Sequence, residues 1–170
     1  MRERVVRILL VGLGVPAVVI GAWAAFAPRS FYEDFPGFGQ LWVRPDGPFN
    51  EHLVRDVGEL NLALGFITLA AAVWCAPLVV RLVAGAWLVE GIPHLVYHLR
   101  HLDPLASDAK VSSIAGLVIV PVLALVLLAL TTDRGRGDAA EIVRSASPSS
   151  ASSTSASTAP RAQSSSTARG

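Results

Sequence analysis

The chain has 170 residues, 52% of them hydrophobic and 16% charged, with a net charge of +1. Its mean hydropathy of +0.52 suits an integral membrane protein better than a soluble domain. So near-neutral a charge leaves no footprint for nucleic acid. The single cysteine, Cys75, excludes an intrachain disulfide and any cysteine-built zinc site.

Four apolar stretches are long enough to cross a bilayer, which takes about 20 helical residues. They run over about 5–26, 56–74, 78–101 and 112–130. The first follows Met1-Arg2-Glu3-Arg4 and ends on Ala25-Phe26-Ala27, which resembles a secretory leader. Its apolar run exceeds the usual leader core of about 7–15 residues, and Pro28 would stand directly after the cut, so an uncleaved anchor is expected. The second and third stretches meet at Cys75-Ala76-Pro77, tight enough to make them an antiparallel hairpin. Small residues recur inside the spans (Gly12, Gly14, Gly21, Ala63, Gly65, Ala84, Gly85), as close helix packing in lipid requires. The expectation is an all-α polytopic membrane protein, with four transmembrane helices in an antiparallel bundle over 1–131.

Basic residues set the expected orientation. With the N-terminus inside, Arg2, Arg4, Arg7, Arg81, Arg134, Arg136 and Arg144 fall on the cytoplasmic side, against Arg29, Arg44, Arg55, Arg100 and Lys110 outside. Both termini are therefore expected in the cytoplasm of a plasma-membrane protein. The segment 132–170 becomes a run of Ser, Ala and Thr broken by Pro148 and Pro160. It has too little apolar surface to offset its ordering entropy, so a disordered cytoplasmic tail is expected.

The longest connection, about 27–55, holds Phe31, Tyr32, Phe35, Phe38, Trp42 and Phe49, half of the chain's aromatic residues. Pro36-Gly37, Gly39, Pro45 and Gly47-Pro48 forbid a long regular element there. Such a loop suits the lipid interface, where aromatic side chains concentrate. The alternative is a lid over a pocket between helices.

Two polar stripes interrupt the apolar pattern. At about 100° per residue, Glu90, His94, Tyr97, His98 and His101 project within an arc of roughly 100° on the third span. On the second, His52, Asp56 and Glu59 fall within about 60°, with Arg55 beside them. A hairpin of the two spans puts both stripes in one leaflet, and ionisable groups in a membrane span are costly enough to mark a candidate site. Three readings stay open. In the first, the groups are structural: acids suit the start of a helix, and His98 and His101 suit its end. In the second, His94, His98 and His101 ligate a metal ion or haem, neutral imidazoles four residues apart sharing one face. In the third, His52, Asp56, Glu59 and Glu90 hold a polar ligand or relay protons. No nucleophile elbow, phosphate-binding glycine loop or zinc-protease signature is present, which leaves soluble-type catalysis without support.

Asn50-Glu51-His52-Leu53-Val54-Arg55-Asp56-Val57-Gly58, paired with Pro93-His94-Leu95-Val96-Tyr97-His98-Leu99-Arg100-His101, resembles a group of small four-helix membrane proteins of actinobacteria. That group is similar in layout to the DoxX-like membrane proteins. The resemblance covers about 5–130 and implies the fold and the membrane location. DoxX-like proteins are associated with membrane redox or thiol-stress systems, yet the single Cys75 offers no thiol pair for such a role. The expected function is a small binding or accessory membrane protein. Its Glu/His cluster near the outer leaflet would hold a metal, haem or polar ligand. The alternatives are a proton-coupled transport element, an enzyme whose metal activates water or oxygen, and a purely structural subunit. The expected partners are the lipid bilayer and either a second copy or another membrane subunit, with no nucleic acid.

Overall fold

The computed structural model describes residues 1–103 and 105–146, the stretch from 132 onward as helical backbone alone. Among them are five α-helices: α1 (Arg2–Phe26), α2 (Pro28–Asp34), α3 (Glu51–Trp74), α4 (Pro77–Arg100) and α5 (Ser107–Ala146). Four are long and apolar enough to cross a membrane: α1, α3, α4 and the Ser107–Thr131 part of α5. The remainder is small. A two-stranded hairpin, β1 (Pro36–Gly37) and β2 (Gln40–Leu41), and one 3-10 turn over Arg44–Asp46 lie between α2 and α3.

Helix ends explain where the elements differ from the apolar stretches. α3 begins at Glu51 because the Asn50 side chain caps it, accepting from the Leu53 amide at 3.1 Å. α2 starts on Pro28, whose fixed φ suits the first helical position. Between α3 and α4 stand only Cys75 and Ala76; Cys75 takes the left-handed conformation (φ 50°) and its amide donates to the Ala71 carbonyl. α5 runs on past Leu130 to Ala146. The rest of the Ser/Ala/Thr-rich tail, 147–170, lies outside the described residues.

Packing divides the helices into two pairs. α1 lies on α3 and α4 on α5, whereas α3 and α4 touch each other far less despite their short link. The first pair is joined through glycine. A Cβ added at Gly21 would stand 2.6 Å from the Leu62 amide nitrogen and 2.8 Å from the Gly58 carbonyl oxygen. One added at Gly65 would stand 2.9 Å from the Val18 nitrogen. Contacts therefore pair Gly21 with Gly58 and Val18 with Gly65, falling along α3 as they rise along α1. In the second pair Gly91 meets Val120 and Pro121, and the Arg81 guanidinium donates to the Thr131 carbonyl at 2.7 Å.

The buried core gathers where α3 turns into α4. It comprises Val6, Leu10, Leu13 and Ala17 of α1, Ala71 and Ala72 of α3, Val80, Val83, Ala84 and Trp87 of α4, and Ala124 and Leu127 of α5. Trp87 ties the pairs together there, its indole N–H donating to the Thr68 hydroxyl at 3.0 Å. Thr68 in turn donates to the Leu64 carbonyl at 2.7 Å, so both partners are satisfied without water. Among the described residues no such cluster forms at the opposite end, where the segment between α1 and α3 lies. Most outward-facing positions along the long helices are apolar, among them Ile8, Val19, Leu60, Phe66, Leu82, Val89, Ile119 and Leu125, all exposed.

Candidate functional site

The loop end is held by aromatic packing. Trp23 of α1 meets Phe31 and Phe35 edge-on at 5.9 and 6.0 Å between ring centroids, and Phe35 meets Trp42 at 5.5 Å. Tyr32 donates from its hydroxyl to the Gly47 carbonyl at 2.7 Å and packs against Phe49 at 5.3 Å. The Arg29 guanidinium stands 4.9 Å over the other aromatic partner of that contact, Phe49. Trp42 and Gln40 reach α5: Gln40 Oε1 accepts from the Ser112 hydroxyl at 2.7 Å and from the Trp42 indole at 3.1 Å. One segment thus bridges from the end of α1 to the start of α5 and spans the loop end of both pairs.

Beneath it runs the polar stripe of α4. Glu90 Oε1 lies 3.7 Å from His94 Nδ1, one turn on. The His94 and His98 rings follow at 4.8 Å, tilted by 46°. Tyr97 stacks on His101 at 4.2 Å, and its carbonyl lies 2.8 Å from His101 Nδ1. His94 and Glu90 are part-exposed, with 45% and 39% of their side-chain surface open. The spacing of the stripe is helical geometry, but its neighbour comes from far away in the chain. The carboxylate of Asp46, at the end of the 3-10 turn, acts electrostatically on both His94 and His98. Glu90, His94 and His98 thus form a row along α4, Glu90 lying about 12 Å along the helix from His98, with the Asp46 charge in reach of both histidines.

His101 stacks on Tyr97 and contacts its carbonyl. Among the described residues no group of three or more His, Cys, Asp and Glu side chains could hold one metal ion. His94, His98 and His101, the expected metal ligands, are therefore not assembled as a set. His94 and His98 leave the same face of one helix, so the two together could not supply axial ligands on opposite sides of one haem.

The stripe on α3 is one face, as its spacing requires, but it looks elsewhere. His52 Nε2 pairs with Asp56 Oδ2 at 3.4 Å, with 88% and 47% of their side chains exposed, and Glu59 is exposed as well. At 100° per residue Glu59 points about 180° from Thr68, the residue that meets α4. His52, Asp56 and Glu59 thus share an end with the α4 stripe and turn away from it. Their neighbour Arg55 is structural: it donates to Glu51 at 2.8 Å and to the Ala25 carbonyl at the end of α1.

Sequence reasoning missed Asp46. Its setting, Arg44-Pro45-Asp46-Gly47-Pro48, reads only as a turn, and nothing local marks which helix a turn acid approaches. Compared with models of protein families, curated proteins and solved structures, the chain matches none.

Proposed function

We propose that the chain is a multi-pass plasma-membrane protein, with four helices crossing as an antiparallel bundle and both termini in the cytoplasm. Helices of 24 or 25 residues with apolar outward faces support the embedding, because a surface of that kind in water would be an aggregation liability. The excess of arginine around the start of α1 supports the orientation. The loop and the α4 stripe then lie at the outer leaflet.

There the protein binds a small polar or protonatable ligand, and the row Asp46, His98, His94 and Glu90 holds it. The observation that carries this reading is the run of Glu90, His94 and His98 in contact along one part-open face of α4, with the Asp46 charge within electrostatic reach of both histidines. A loop carboxylate, two imidazoles and a deeper carboxyl give donors and acceptors in line, half open to a ligand. Native mass spectrometry, elemental analysis and an absorbance spectrum on detergent-purified full-length protein test it. The wild type retains one ligand per chain, and His94→Ala plus His98→Ala loses it while remaining inserted. Equal ligand content in both would overturn the assignment.

A second reading is favoured by the linear order of the same groups: a proton relay into the membrane. Ligand-free protein that carries protons into vesicles, and stops doing so as Glu90→Gln, would support the relay over the binding site.

A further inference from the structure

The β-hairpin carries a feature that neither packing nor the polar row uses. Pro36 pairs with Leu41 and Gly37 with Gln40, and the chain reverses through Gly37, Phe38 and Gly39, all at positive φ (92°, 59° and 76°). Left-handed backbone is uncommon for an aromatic residue, and here it holds Phe38 at the tip with its side chain fully exposed (102%). Leu41, on the second strand, is 39% exposed. The base of the hairpin is fixed. Gln40 accepts from Ser112, and Trp42 lies so close to Gly116 that a Cβ there would stand 3.5 Å from its ring.

Those anchors give the hairpin a height. Ser112 opens the apolar stretch of α5, and Gly116 lies one turn further in, about 6 Å along the axis. The hairpin therefore flanks α5 at the level where its polar start gives way to hydrocarbon-compatible residues. Aromatic side chains concentrate at that level in membrane proteins.

We propose that Phe38, with Leu41 beside it, inserts into the lipid interface and anchors the loop to the leaflet at the loop end. This rests on the membrane reading above. Lipid fits better than a protein partner because the tip is Gly-Phe-Gly. A Cβ at either glycine would meet nothing within 4 Å, and the turn presents no polar side chain to set a partner's register. A fluid interface needs only the apolar ring.

The test places a nitroxide on the full chain in phosphatidylethanolamine/phosphatidylglycerol vesicles, with Cys75→Ala to remove the native thiol. Phe38→Cys and, as a second reporter, Leu41→Cys carry the label. Leu125→Cys, exposed in the middle of α5, is the hydrocarbon reference, and Asp103→Cys, exposed between α4 and α5, is the water reference. Power-saturation measurements compare collisions with oxygen and with a water-soluble nickel chelate. At positions 38 and 41 oxygen is expected to exceed nickel, with values between those at 125 and 103. Nickel access at 38 equal to that at 103, with 125 still oxygen-rich, would overturn the anchor and leave the membrane reading intact. Nickel access at 125 would overturn both. Protection of 38 from both reagents would overturn lipid insertion in favour of a protein contact.

Discussion

Replacing Gly58 by alanine forces apart the two helices that pack closest. Its new methyl group would meet the Ala25 backbone nitrogen and stand 2.9 Å from the Ala24 carbonyl carbon and the Ala25 Cα. Carbon atoms at rest lie about 3.5–4.0 Å apart, so α1 and α3 must separate by roughly 1 Å. The three nearest atoms are all backbone, so no rotamer change can relieve the contact. Overpacking of this kind typically costs about 1–3 kcal/mol. For a chain of 170 residues that is a fall in Tm of about 2–12 °C. Gly85→Ala is the control: a Cβ there meets nothing within 4 Å, and alanine gains up to about 1 kcal/mol in helix propensity. Gly14→Ala should fall between them, since it meets the movable Leu69 side chain at 2.8 Å. Cys75, 5% exposed, supplies the assay, because a thiol-reactive fluorophore labels it only as the protein opens on heating. Gly58→Ala melting together with Gly85→Ala would refute the close α1–α3 contact.

Trp87→Phe removes the donor to Thr68 and should cost about 0.6 kcal/mol, the average for polar contacts between membrane helices. In a double-mutant cycle with Thr68→Val the two losses should couple by a similar amount; strict additivity would mean the hydrogen bond is not made. Arg55→Ala detaches α3 from the Ala25 carbonyl and should cost about 1.5–3 kcal/mol, whereas Glu51→Ala removes only a surface ion pair worth less than about 1 kcal/mol. Equal falls in melting temperature would contradict that division. Tyr32→Phe deletes the hydroxyl that holds Gly47, and a loss of about 1 kcal/mol raises the open population of the loop about fivefold. Limited proteolysis within 43–50 should speed up accordingly, and an unchanged rate would show that the aromatic contacts alone fix the loop.

The four long helices were legible because length and hydropathy act locally: twenty apolar residues leave few alternatives. The polar first turn of α3 was legible too, since the stripe His52, Asp56 and Glu59 needs helix from about His52, whereas α2 was hidden by its seven residues inside a loop read as irregular. Helical spacing put Glu90, His94 and His98 on one face, and His52, Asp56 and Glu59 on another. What each face meets is a separate matter that periodicity does not contain. Gly58 and Gly65 carry the signal for α3: the face that admits α1 must be bare, and Thr68 meets Trp87, which leaves Glu59 pointing outward. Asp46 had no such signal. Its electrostatic reach to His94 joins residues far apart in sequence and depends on how Tyr32, Trp42 and Gln40 fasten the loop.

The composition of the polar row is tested most directly by 15N-histidine NMR of the full chain, whose four histidines are assigned by single substitution. Asp46→Asn should shift the imidazole resonances of His94 and His98 and leave His52 in place, while Asp56→Asn should move His52 alone. If Asp56→Asn moved His94 and His98 and Asp46→Asn did not, the row would be misassembled and the site would have to be rebuilt around α3.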